Sequence, residues 1–147
     1  TRFKCDWSSD VCSSDLHFVI RSLRAIREVG MKAGIVLNPS QQVDVIRPYL
    51  DWVDLVVLMT VEPGFAGQKF MVESLPRLEE LSKLREETGK EFLISIDGGI
   101  NYPNVQPCVR RGANLFVTGV YTVYRQPDGI PAACQRFEQE MRKGLVE

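Results

Sequence analysis

No stretch of this sequence stays apolar for the roughly 20 residues that a helix needs to cross a bilayer, and its first residues lack the basic-then-apolar layout of a signal peptide. The expectation is a cytoplasmic protein with no membrane contact. Neither sign of charge dominates: 18 Lys and Arg face 19 Asp and Glu, for a formal net charge of -1. That leaves no basic footprint for nucleic acid or another charged polymer. The four cysteines, Cys5, Cys12, Cys108 and Cys134, match no zinc or redox spacing, so no disulfide framework is expected. Histidine occurs once, as His17 just ahead of a helical pattern, where a surface or capping role suits it. What is present, 44% hydrophobic and 25% charged residues over 147 positions, is the composition of one ordinary globular domain.

The N-terminal stretch differs from everything after it. Residues 5–16 (CDWSSDVCSSDL) carry neither a helical nor a strand period. Residues 6–16 agree throughout with the translation, in one frame, of a common short-read sequencing adapter. The expectation is a non-native leader over residues 1–16 and native sequence over 17–147, with Cys5 and Cys12 belonging to the leader.

From His17 onward, helical and strand patterns alternate. Ile20, Leu23 and Ile26 recur at helical spacing up to Gly30. Residues 34–38 (GIVLN) form a short apolar run closed by Asn-Pro, a strand followed by a turn, and 43–50 read as a short amphipathic helix interrupted by Pro48. Residues 53–61 (VDLVVLMTV) are almost continuously apolar, as in a parallel strand covered on both faces. Leu75, Leu78, Leu81 and Leu84 mark a long helix ending near Gly89; 92–96 (FLISI) predict the next strand. A helix over 103–111 containing an unexplained Pro107, a strand over 115–118 and a last helix opening at Pro131 complete the pattern. A helix followed by four strand-then-helix units implies a parallel α/β sheet. Periodicity leaves two architectures open: a doubly wound sheet of four strands, or half of a (β/α)8 barrel.

Ligands of parallel α/β folds sit at the C-terminal ends of the strands, and three successive strands here end unusually. They end in 62–68 (EPGFAGQ), in Asp97-Gly98-Gly99 and in Gly119-Val120. Glycines at such places let backbone N–H groups approach an anion closely, so a phosphate can be held without Lys or Arg. Asp97 follows four apolar residues at the point where its strand leaves the core. Its carboxylate is either a base or metal ligand, or the turn-forming Asp of a common Asp-Gly-Gly sequence. Asp51 and Asp54 precede a strand, at the inert end of such a fold, and Glu62 reads as a loop charge.

The segments 57–70 (VLMTVEPGFAGQKF), 94–100 (ISIDGGI) and 30–39 (GMKAGIVLNP) are similar to strands six, seven and five of the ribulose-phosphate 3-epimerase family. The resemblance runs from about His17 to the last helix and implies the C-terminal half of a (β/α)8 TIM barrel, four parallel strands alternating with helices. It implies epimerisation at C3 of a sugar phosphate by two acids, with a divalent zinc, iron, manganese or cobalt ion polarising the carbonyl. Asp97 matches one of those acids, which is also a metal ligand. The partner acid and two histidine ligands belong to the first strands and have no match here, so the 147-residue chain alone is expected to be inactive. Phosphate contacts match Gly64, Phe65, Ala66, Gly67, Gly98, Gly99, Gly119 and Val120, and Met59 matches a methionine lining the reaction centre. Ala66 departs from the usual Gly, as in the related allulose-6-phosphate 3-epimerases, and Val120-Tyr121 stands where a small Ser-containing turn is typical. Ribulose 5-phosphate is the expected substrate, a hexulose 6-phosphate the alternative, and a non-catalytic phosphate-binding barrel a third reading. The family also implies oligomers.

Overall fold

The computed structural model describes residues 18–145. The leader expected over 1–16, with Cys5 and Cys12, and the capping role expected of His17 lie outside them. Eight regular elements follow one another: α1 (Val19–Glu28), β1 (Gly34–Leu37), β2 (Leu55–Met59), α2 (Ser74–Thr88), β3 (Leu93–Asp97), α3 (Tyr102–Val109), β4 (Leu115–Val117) and α4 (Ile130–Gly144). Two tighter or wider connections complete the chain, a run of 3-10 turns at Val43–Trp52 and a single π turn at Val120–Tyr124. The first stands where a short amphipathic helix interrupted by Pro48 is expected. Pro48 lies inside it and has no N–H for a helical ladder, so the segment closes in tighter turns that still bury Val43, Ile46 and Leu50. Pro107 is accommodated within the short α3; beyond it the Arg110 amide reaches the Gln106 carbonyl at 3.0 Å, and Arg111 Nη1 donates to the Pro107 carbonyl at 2.9 Å.

The four strands lie in the order β1-β2-β3-β4, each parallel to the next. This order decides between the two architectures. A doubly wound sheet reverses direction at a switch point, whereas successive right-handed crossovers that all step the same way put the helices on one face, as in a (β/α)8 barrel. Alternation then assigns the side chains. Val56, Leu58, Ile94 and Ile96 are fully buried and join Leu37, Leu78, Leu81, Val105 and Phe137 in one core under the helices. Each such side chain contributes about 1.5–3 kcal/mol of burial.

The opposite face carries register rows that lie outside the core under the described helices: Leu55 beside Leu93, then Val57, Ser95 and Leu115, then Met59, Asp97 and Val117, of which Ser95 alone is buried. Leu93, Leu115 and Val117 remain 44, 43 and 49% exposed among the described residues. A barrel turns this face inward. At the N-terminal end, Asp54 Oδ2 accepts from the Ala33 amide at 2.8 Å while its own amide donates to the Ala33 carbonyl, and Asp51 pairs with Lys90 at 2.6 Å. Both acids therefore brace the end of the sheet away from the glycine loops. Cys108 and Cys134 are free thiols; burial pushes Cys108 up to about 11.

Candidate active site at the strand ends

The three glycine-bearing loops leave the same end of the sheet and lock together there. The first occupies 62–68, between β2 and α2, and is clasped by its own Gln68, whose Nε2 donates to the Glu62 carbonyl at 2.5 Å and the Phe65 carbonyl at 3.2 Å. The second, Gly98-Gly99, lies against the first loop's flanks so closely that side chains are excluded. A Cβ on Gly98 would stand 2.6 Å from Val61 Cγ2, and one on Gly99 would stand 2.3 Å from the Phe70 amide nitrogen. Both glycines also have positive φ, so the backbone itself forms this surface. The third loop, at Gly119-Val120, is tied to the second by the Thr122 hydroxyl donating to the Ile100 carbonyl, and to α3 by Tyr102 Oη donating to the Thr122 carbonyl at 3.0 Å. It meets the first through Tyr121, whose Cε2 lies 3.5 Å from where a Gly67 Cβ would be. Beside Gly119, by contrast, there is open space.

Asp97 ends β3 on the uncovered face, in register with Met59 on β2 and Val117 on β4. It is half-buried, and desolvation raises its carboxyl above the ordinary aspartate range. Its carboxylate has no hydrogen-bond or ion-pair partner among the described residues, so it makes none of the local bonds of a turn-forming Asp. The backbone holds it instead. Thr60, a buried residue with no role expected from its sequence context, sends its amide to the Asp97 carbonyl at 2.8 Å and shares its hydroxyl between the Asp97 and Gly98 carbonyls at 3.0 and 2.5 Å. The signal for Thr60 was slight: one polar residue closing an apolar run. Gln68, the loop clasp, was equally silent.

All ten expected positions thus fall at one end of the sheet, with Phe65 projecting as an exposed tip. No group of three His, Cys, Asp or Glu side chains that would hold a metal occurs among the described residues. Among the described residues Asp97 is the one carboxylate in the strand rows of the uncovered face, so these residues do not by themselves fit a metal centre.

The sequence model of the Ribulose-phosphate 3 epimerase family matches residues 10–123. This chain belongs to that family. It is 47% identical over 109 residues to a ribulose-phosphate 3-epimerase of Bacillus subtilis (strain 168), covering 74% of this chain and 50% of the relative. It is 41% identical over 114 residues to that of Aquifex aeolicus (strain VF5), covering 78 and 51%. With that of Escherichia coli (strain K12) the identity is 36% over 129 residues, covering 88 and 55%. The chain spans about half the length of these epimerase relatives, in keeping with four strands of an eight-stranded barrel.

Proposed function

We propose that this segment supplies the phosphate end and one acid of an epimerase acting on D-ribulose 5-phosphate to give D-xylulose 5-phosphate. The observation that carries the reading is the placement of a half-buried, unpartnered Asp97 directly beneath converging glycine loops. The amides around Gly64, Gly67, Gly98, Gly99, Gly119 and Val120 bind the phosphate dianion through oriented backbone dipoles. With the phosphate fixed, the C3 hydrogen, acidic because it lies next to the C2 ketone, comes within reach of Asp97. One acid takes that proton while the bonding pair delocalises onto the C2 oxygen; the other returns a proton to C3 from the opposite face. Asp97 is one member of this pair. A raised carboxyl suits both directions of transfer, because its basic and acidic forms lie closer to the working pH. The second acid belongs to the part of the barrel that covers the Met59 and Val117 row, where Met59 and Val117 keep water from the carbanion. A cytoplasmic location accords with such a reaction, whose sugar-phosphate substrate is charged and does not cross membranes unaided.

The test joins residues 18–147 to the first half of the Bacillus subtilis relative and follows solvent deuterium entering C3 of ribulose 5-phosphate. Deuterated xylulose 5-phosphate is expected, and Asp97→Asn should lower kcat by about 100-fold or more. Wild-type turnover by the Asn variant, or a strong preference for a hexulose 6-phosphate, would overturn the assignment.

A further inference from the structure

The π turn Val120–Tyr124, with Arg125 closing it, brings two side chains together beside the first glycine loop: Tyr121, noted in the sequence only as a departure from a small Ser-containing turn, and Arg125, which neither the glycine pattern nor the family motifs single out. Single π turns are rare and concentrate at functional positions. This one directs Tyr121 back across the gap between the third loop and the first, where its ring rests on Gly67. The turn is firmly built: the Arg125 amide donates to the Val120 carbonyl at 2.8 Å, and Gln126 Nε2 donates to the Tyr121 carbonyl at 2.7 Å. Gln126 is itself held by Arg136 at 3.1 Å, and Arg136 by Tyr102 Oη and by Asp128. Over the Tyr121 ring sits the Arg125 guanidinium, 5.8 Å from the ring centroid. Unlike Arg136, it has no carboxylate partner among the described residues.

We infer that Arg125, shelved on Tyr121, is a side-chain ligand for the substrate phosphate and sets the strength with which that end of the site holds it. The inference rests on the glycine loops being the phosphate end. A guanidinium held by a ring keeps its charge, loses little freedom on binding and offers a planar fork of donors that matches two phosphate oxygens.

Titrating the 147-residue chain with inorganic phosphate at constant ionic strength, and reading amide shifts, tests this. Arg125→Met keeps the aliphatic stem on the ring and removes the charge; it should weaken phosphate about tenfold, by the loss of one charged hydrogen-bonded contact. Arg125→Lys should recover part of that loss, and Tyr121→Leu should mimic Arg125→Met. Gly119→Ala separates the two readings, because its methyl enters open space at φ -116° without disturbing the fold. Phosphate weakened by Gly119→Ala but bound equally by wild type and Arg125→Met would overturn the role of Arg125 and leave the glycine site standing. Absence of phosphate binding by the wild type, with the amide spectrum of a folded chain, would overturn both.

Discussion

A methyl group added to Gly99 meets the backbone of the neighbouring loop, whereas one added to Gly119 meets nothing. Composition makes the two residues identical; position makes them opposites. Gly99 has φ +61° and its Cβ site lies 2.3 Å from the Phe70 amide nitrogen, so Gly99→Ala combines backbone strain with a clash against main chain that cannot rotate away. It should cost about 3 kcal/mol or more. Gly119→Ala, in an extended conformation open to any residue, should change stability by no more than about 1 kcal/mol. Urea unfolding of both variants checks the contrast; equal losses would mean that the two loops are not packed as described. At the same scale, Asp97 owes its raised carboxyl to desolvation at a strand end that Thr60 holds in place, with no neighbouring charge required.

Among the elements, the two faces of one sheet differ in what lies against them. Leu58 and Ile96 point under α2 and α3 and are fully buried; Leu93 and Leu115 point the other way and keep nearly half their exposure. Leu58→Ala or Ile96→Ala should therefore cost about 2–5 kcal/mol, and Leu115→Ala less than about 1 kcal/mol. A large loss from Leu115→Ala, measured by chemical unfolding at low protein concentration, would show that the row is covered. Order and type of these elements were legible because β-branched runs such as 55–59 and the leucine period of 75–84 are strong, uninterrupted signals. The amphipathic helix interrupted by Pro48 was legible in its apolar spacing, whereas its 3-10 form, and its extension to Trp52, follow from the missing Pro48 N–H and the packing of the segment. No periodic pattern announced the π turn, because its geometry follows from contacts with Gly67 and Ile100 far away in sequence. Periodicity alone left half-barrel and doubly wound sheet open, because strand order is a long-range property; the resemblance of 30–39, 57–70 and 94–100 to barrel strands implied the half-barrel, and the order β1-β2-β3-β4 agrees with it.

For the molecule as a whole, a sheet with all helices on one side and an apolar row on the other has a site on one rim and braces on the opposite rim. Asp51, Asp54 and Lys90 secure the latter; the glycine loops and Asp97 occupy the former. This polarity is what the family membership predicts of a barrel segment and what the proposed chemistry requires: a dianion held at one place and a carboxylate facing the reacting carbon beside it. The central claim is that the three loops act as one phosphate cradle. It is tested most directly by mapping which backbone amides of the 147-residue chain shift as inorganic phosphate is added. Shifts concentrated at Gly64, Gly67, Gly98, Gly99, Gly119 and Val120, with Asp54 and Gly112 at the far rim unmoved, are the predicted result; shifts scattered over both rims, or confined to the far one, would contradict it.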